Sequence, residues 1–204
     1  MSSDNIAVSA PETRTRILKA ALHLLEAGQG KGVRMTDIAK RAGISRQALY
    51  LHFSTRAALL IATTYYLDEL KGIEERLVAS RTAQTGIERL DAFIEAWGNY
   101  IPEIHGVAKA LLAMRDTDEA AAEAWAERMQ DMREGCEAAI SALDRDNMLS
   151  PDHSPDQATD ILWTMLSVRN WEQLTIECGW PQERYIETLK SLARRIFVAK
   201  GTSG

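Results

Sequence analysis

The sequence predicts an all-α protein, on three observations. Proline is rare, with five in 204 residues; no stretch alternates strongly between apolar and polar side chains; and Ala, Leu, Glu and Arg dominate the long segments. A hydrophobic fraction of 46% over this length can bury a substantial core.

Residues 1–10 read as a disordered arm. The first helix is predicted from Pro11 to Ala27, where Ile17, Leu18, Ala21, Leu24 and Leu25 recur at helical spacing and Gly28 supplies the stop. Thr36 to Phe53 reads as two short helices joined by a tight turn. Ser54 or Thr55 can then cap a long helix that carries Leu59, Leu60, Thr63, Leu67 and Leu70 toward Val78. Further helices are predicted over Gly86 to Ile101, ended by Pro102, and over Ile104 to Met114, Thr117 to Leu143, Pro155 to Cys178 and Pro181 to Val198. Asp144 to Ser154, with Asn147, Pro151 and Asp152, is the clearest loop.

The net charge of −5 conceals an asymmetry. Residues 1–60 carry nine Lys and Arg against four Asp and Glu, whereas the remaining 144 carry 15 against 25. A basic N-terminal part on an acidic remainder fits a polyanionic partner for the first part alone. No secretory signal or bilayer-spanning run is read, so a cytoplasmic location is expected. Cys136 and Cys178 are too few and too far apart for a disulfide framework or a thiolate metal site. His23, His105 and His153 are scattered and lack the spacing of metal ligands or of a nucleophile–base set, so no catalytic site, metal or cofactor is expected.

Each position of the Thr36–Phe53 stretch has a local reason. Thr36 can cap the first short helix, Ile38 and Ala42 point inward at i,i+4, and Ala39 is small where a second helix must cross closely. Gly43 suits a positive-φ helix end with Ile44 closing over it, and Ser45 supplies the next cap. Ala48, Leu49 and Phe53 give the second helix its core side. Arg46, Gln47 and Tyr50 then fall on the exposed side at its start, where a recognition helix meets base edges and phosphates in the major groove. A helical hairpin with a glycine turn is also common as plain structure, and taken singly Tyr50 reads rather as a core aromatic with its hydroxyl at the surface and His52 as a surface residue.

At this point the chain resembles the Tet-repressor-like (TetR/AcrR) regulators over about residues 14–60. The resemblance is carried by Arg16-Ile-Leu-Lys-Ala-Ala21, Gly32-Val-Arg-Met-Thr-Asp-Ile-Ala39, Ala42-Gly-Ile-Ser45, Leu49-Tyr-Leu-His-Phe53 and Arg56-Ala-Ala-Leu-Leu60. It implies a dimeric repressor with an N-terminal three-helix DNA-binding head containing a helix-turn-helix, over residues 11–53. A C-terminal helical ligand-binding and dimerisation bundle is implied over residues 54–204. By the same resemblance Thr36, Tyr50, His52 and Arg56 correspond to phosphate contacts, and Ser45, Arg46, Gln47 and Ala48 to the start of the recognition helix. Base readout is assigned to Arg46 and Gln47. Arg56 stands where Lys is usual, and Leu51, where a polar or aromatic residue is frequent, is expected to pack against the first helix.

The body is rich in large apolar side chains, most of which should be core. Tyr66, Trp97, Tyr100, Trp125, Met129 and Trp163 are candidates to line a cavity for an apolar or amphipathic effector. His105, Arg169 and Asn170 are its candidate polar handles, Arg169 having an ordinary alternative partner in Glu172. The last two helices carry more apolar surface than one core face needs, which makes Leu162, Leu166, Leu189, Leu192 and Ile196 candidate contacts of a four-helix homodimer interface. The expected partners are therefore operator double-stranded DNA, a small-molecule effector, and a second copy of the chain, with no membrane. An activator or ligand-independent regulator of the same fold stays open, as does a helical adaptor or enzyme.

Overall fold

A computed structural model describes residues 10–28 and 33–199, and every regular element among them is helical. In chain order these are α1 (Ala10–Gly28), α2 (Met35–Ala42), α3 (Arg46–His52), α4 (Arg56–Lys71), α5 (Ile73–Arg81), α6 (Gly86–Met114), α7 (Glu119–Arg145), α8 (Pro155–Met165) and α9 (Val168–Trp171). A π-helical turn (Glu172–Glu177) and α10 (Gln182–Phe197) complete the chain. Apart from Ala10, which opens α1, the expected arm lies outside the described residues.

The contacts divide the chain into two compact units. One contains the chain up to Leu70 together with Gly106–Glu127; the other contains Lys71–His105 together with the chain from Arg128 onward. The unit that holds the Thr36–Phe53 motif thus extends past residue 53. In it α1 packs on α2, and α2 on α3, around Ile17, Ala21, Leu25, Ile38, Leu49 and Phe53. Leu59, Leu60 and Leu67 of α4 are also buried in this unit, as are Leu111, Met114 and Ala121. The second unit buries Leu90, Ile94, Tyr100 and Ile101 of α6, Cys136, Ile140 and Leu143 of α7, and Tyr185, Leu189 and Phe197 of α10. Gly86 lets α6 start hard against α7: a Cβ there would lie 2.6 Å from the Leu143 backbone nitrogen. Burial pushes the Cys136 thiol up to about 12, which keeps it protonated and inert.

Four predicted helices are divided differently, one for a local reason and the others with tertiary contacts. The helix expected to run from Ser54 toward Val78 breaks at Gly72, whose φ of 63° is a left-handed conformation open to glycine. Arg76 then donates from Nε to the Lys71 carbonyl at 2.9 Å, satisfying the end of α4. Conversely, Pro102 does not end a helix but lies inside α6. Proline removes the N–H that would bond to the carbonyl four residues back. That carbonyl, of Gly98, accepts instead from Gln182 Nε2 at 2.6 Å. The segment expected to be one helix from Pro155 to Cys178 is interrupted at Leu166 and Ser167. The Leu166 carbonyl accepts from Trp97 Nε1 at 2.8 Å, and the Ser167 hydroxyl caps α9 by accepting from the Asn170 N–H at 3.2 Å. The π-helical turn ends at Glu177, capped by Cys178, and Gly179 follows with φ 67°. Among the described residues no helix is long and apolar enough to cross a membrane.

Candidate nucleic-acid interface

The turn between α2 and α3 follows from two residues. Gly43 adopts φ 67° and closes α2, with the Gly43 N–H on the Lys40 carbonyl at 3.2 Å and the Ile44 N–H on the Ala39 carbonyl at 3.0 Å. Ser45 caps α3, its hydroxyl accepting from the Ala48 N–H at 3.0 Å. Thr36 has no such role: α2 starts at Met35, so Thr36 is its second residue, and the cap position falls on Arg34, which makes no side-chain cap bond. Thr36 is nevertheless exposed at that helix start.

Leu49 is fully buried and Phe53 nearly so, which fixes the rotation of α3 and turns its other side outward. Ser45, Arg46, Gln47 and Tyr50 are exposed, while Ala48 and His52 are half-buried. Arg46 and Tyr50 lie one turn apart, with the Arg46 guanidinium carbon 5.5 Å from the centre of the Tyr50 ring and Nη2 3.5 Å from its hydroxyl. Leu51 does not pack against the first helix. It is 85% exposed, because i+4 from Gln47 places it on the outward side. Phe53 is approached instead by Arg14 of α1, whose guanidinium carbon stands 4.4 Å from the ring centre.

Beside α3 lies a crevice of about 550 Å³ lined by Val33, Arg34, Met35, Thr36, Arg46, Tyr50, Arg56 and Asp118. Four of the residues proposed from the sequence, Thr36, Arg46, Tyr50 and Arg56, therefore converge on one surface. Two others were not read from the sequence. Arg34 had a signal, being basic and adjacent to a helix start. Asp118 had none, because it stands 62 residues beyond Arg56, the side chain it bonds. Arg56 donates from Nε to the Val33 carbonyl at 2.6 Å and from Nη1 to Asp118 Oδ1 at 2.5 Å. The Arg56 guanidinium holds the Asp118 carboxyl below its usual range; burial opposes this, and the Ala121 and Ala120 N–H groups add to it.

The candidate effector residues are distributed over both units. Tyr66, buried, and Trp125, half-buried, belong to the first. In the second, Trp97 and Tyr100 are buried with ring centres 5.8 Å apart, and Met129 and Trp163 are half-buried. His105 Nε2 lies 2.8 Å from Glu172 Oε1, and its ring centre is 5.0 Å from that of Trp171. Arg169 is exposed, not a buried charge within an apolar helix as its surroundings in sequence suggest, and the Asn170 amide donates to the Thr164 carbonyl at 2.7 Å. Of the candidate interface residues, Leu162, Leu166 and Leu189 are buried within the chain itself; Ile196 is half-buried and Leu192 is 41% exposed. Among the described residues no group of His, Cys, Asp and Glu is placed to hold a metal ion.

Residues 17–63 match the profile described as bacterial regulatory proteins, tetR family. The HTH-type transcriptional regulator EthR of Mycobacterium tuberculosis is 27% identical over 191 residues, spanning 89% of this chain and 85% of its own length. A protein from Saccharomonospora viridis solved in complex with choline shares the fold with a TM-score of 0.70 at 18% identity, covering 93% of this chain and 100% of its own. NalD of Pseudomonas aeruginosa, the secondary repressor of the MexAB-OprM multidrug efflux pump, has a TM-score of 0.65 at 22% identity, covering 95% and 98%.

Proposed function

We propose that this chain, whose residues 17–63 match the tetR family of bacterial regulatory proteins, is a DNA-binding transcriptional regulator that acts as a cytoplasmic homodimeric repressor with no catalytic role of its own. It is released from a palindromic operator by a small apolar or amphipathic effector. The observation that carries this reading is the outward face of α3: Arg46, Gln47 and Tyr50 stand clear of the fold beside a crevice containing Arg34, Thr36 and Arg56. Arg46 and Gln47 contact base edges, while Thr36, Tyr50, His52 and Arg56 hold phosphates and Ser45 and Ala48 set the start of the helix against the groove. A second copy presents the same helix about 34–36 Å away, or a multiple of that distance, as successive major grooves require. The effector binds in the second unit, whose aromatic side chains Trp97, Tyr100 and Trp163 supply the apolar contact; the choline complex of the S. viridis protein supports small-molecule binding by this fold.

The test is binding of the purified chain to the intergenic DNA upstream of its own gene, measured by fluorescence anisotropy across a salt series. We expect affinity well above that for random duplex and a steep loss with salt, because phosphate contacts release counterions. Affinity equal to that for random duplex, or insensitive to salt, overturns the reading.

A further inference from the structure

We propose that Asp118 is a positioning residue of the DNA-binding surface: fixed at the start of α7, it holds the Arg56 guanidinium in the orientation that receives an operator phosphate. The inference rests on the DNA-contact reading above and extends it to the segment Gly106–Glu127, which supplies none of the contacts assigned there.

A carboxylate is an unexpected lining for a surface that meets phosphates, since on its own it would repel them. Here it is held from both sides. Its Oδ1 accepts from the Ala121 N–H at 3.2 Å, and the Asp118 carbonyl accepts from the Ala122 N–H at 2.9 Å, so the first turn of α7 fixes its place. Both side chains of the pair are mostly shielded, at 22% and 19% exposure for Arg56 and Asp118. The guanidinium is planar and carries five N–H donors. Bonds from Nε to the Val33 carbonyl and from Nη1 to Asp118 set both its position and its plane, and leave Nη2 for a third oxygen.

Arg56 lines the same crevice as Arg34, Thr36, Arg46 and Tyr50, so that third oxygen is a phosphate oxygen when DNA occupies α3. The Val33 carbonyl lies two residues before Met35, the first residue of α2. Asp118 thereby fixes an arginine that is bonded both to the entry of α2 and, at its own backbone, to the start of α4. A lysine at position 56 could meet a phosphate but could not bridge the two oxygens with a planar fork.

The experiment compares Asp118→Ala, Arg56→Ala, Arg56→Lys and the Asp118→Ala/Arg56→Ala double variant of the full chain. Each is titrated over a salt series against random duplex and against the upstream intergenic duplex, and the thermal midpoint is measured alongside. Asp118→Ala should weaken binding to both duplexes about tenfold. It should also reduce the salt slope by the equivalent of about one phosphate, as Arg56→Ala does. The double variant should bind no more weakly than Arg56→Ala alone, and Arg56→Lys, which can still meet a phosphate without the planar fork, should lose affinity while keeping the salt slope. Binding by Asp118→Ala that equals or exceeds that of the unaltered chain overturns the proposal, since Asp118 would then only restrain Arg56. A loss of affinity that follows the thermal midpoint with an unchanged salt slope also overturns it. Arg46→Ala and Tyr50→Phe separate the two levels: if they too leave binding unchanged, the DNA-contact reading itself fails.

Discussion

Arg46 and Tyr50 form an exposed pair one turn apart on α3. The tyrosine ring beneath the guanidinium limits the rotamers of both before DNA arrives, so little freedom remains to be lost on binding. Arg46→Ala should cost about 1–3 kcal/mol against the preferred duplex and relax selectivity at one base position, while Tyr50→Phe should weaken all duplexes alike. Anisotropy titrations against single-base variants of the duplex distinguish these outcomes; an equal loss on every sequence for Arg46→Ala would make it a phosphate contact. At this scale the sequence was legible wherever a residue acts on its own neighbours. Gly43 and Ser45 could be placed because a helix end and a helix cap are local events. The assignments that moved were Thr36, displaced by a two-residue shift in where α2 begins, and Leu51, whose facing depends on the rotation fixed by Leu49 and Phe53. Asp118 was invisible because its role exists only through Arg56.

The helices show the same division between local and tertiary causes. Pro102 looks like a terminator because the α6 hydrogen-bond ladder has a gap there, and it is not one because Gln182, far along the chain, fills that gap at the Gly98 carbonyl. Gly98 also lacks the Cβ that would come 2.8 Å from Ile186 Cγ1, so α10 can approach closely enough for the bond to form. The same Gln182 amide accepts from Trp171 Nε1 at 2.9 Å. Gln182→Ala therefore strands one acceptor and one donor in a half-buried place and should destabilise the fold by about 1–3 kcal/mol. At this chain length that lowers the thermal midpoint by roughly 2–4 °C per kcal/mol. Pro102→Ala restores an N–H to the Gly98 carbonyl and should recover part of that loss in the double variant. Calorimetry of the two single variants and the double measures this coupling; strict additivity would mean that Gln182 does not compensate for the proline. The break at Gly72 was open to sequence reasoning, since a glycine stands there, but the apolar pattern running through it read as one helix.

For the whole molecule, the basic excess of residues 1–60 against the acidic remainder orients the chain toward DNA by its first helices. The proposed reading of a palindrome, however, takes two copies, and a surface that joins them must be apolar yet not already used by the core. Burial divides the candidates named from the sequence. Leu189 is 4% exposed, so an apolar pattern there reports core packing, whereas Leu192 is 41% exposed on the same helix. The neighbouring π-helical turn, which packs on α10, exposes Ile176 at 57%. Periodicity alone could not separate these two uses of leucine, because both satisfy the same helical spacing. Leu192→Asp should accordingly leave the helical content and thermal transition of the protomer nearly intact while producing a monomer in light scattering. Leu189→Asp buries a charge in the core and should compromise folding itself. Loss of the second recognition helix removes the gain from divalent binding, so Leu192→Asp should weaken affinity for the palindrome about 100-fold or more, with affinity for an isolated half-site little changed. A Leu192→Asp chain that remains dimeric would place the two-fold contact on another face of the molecule.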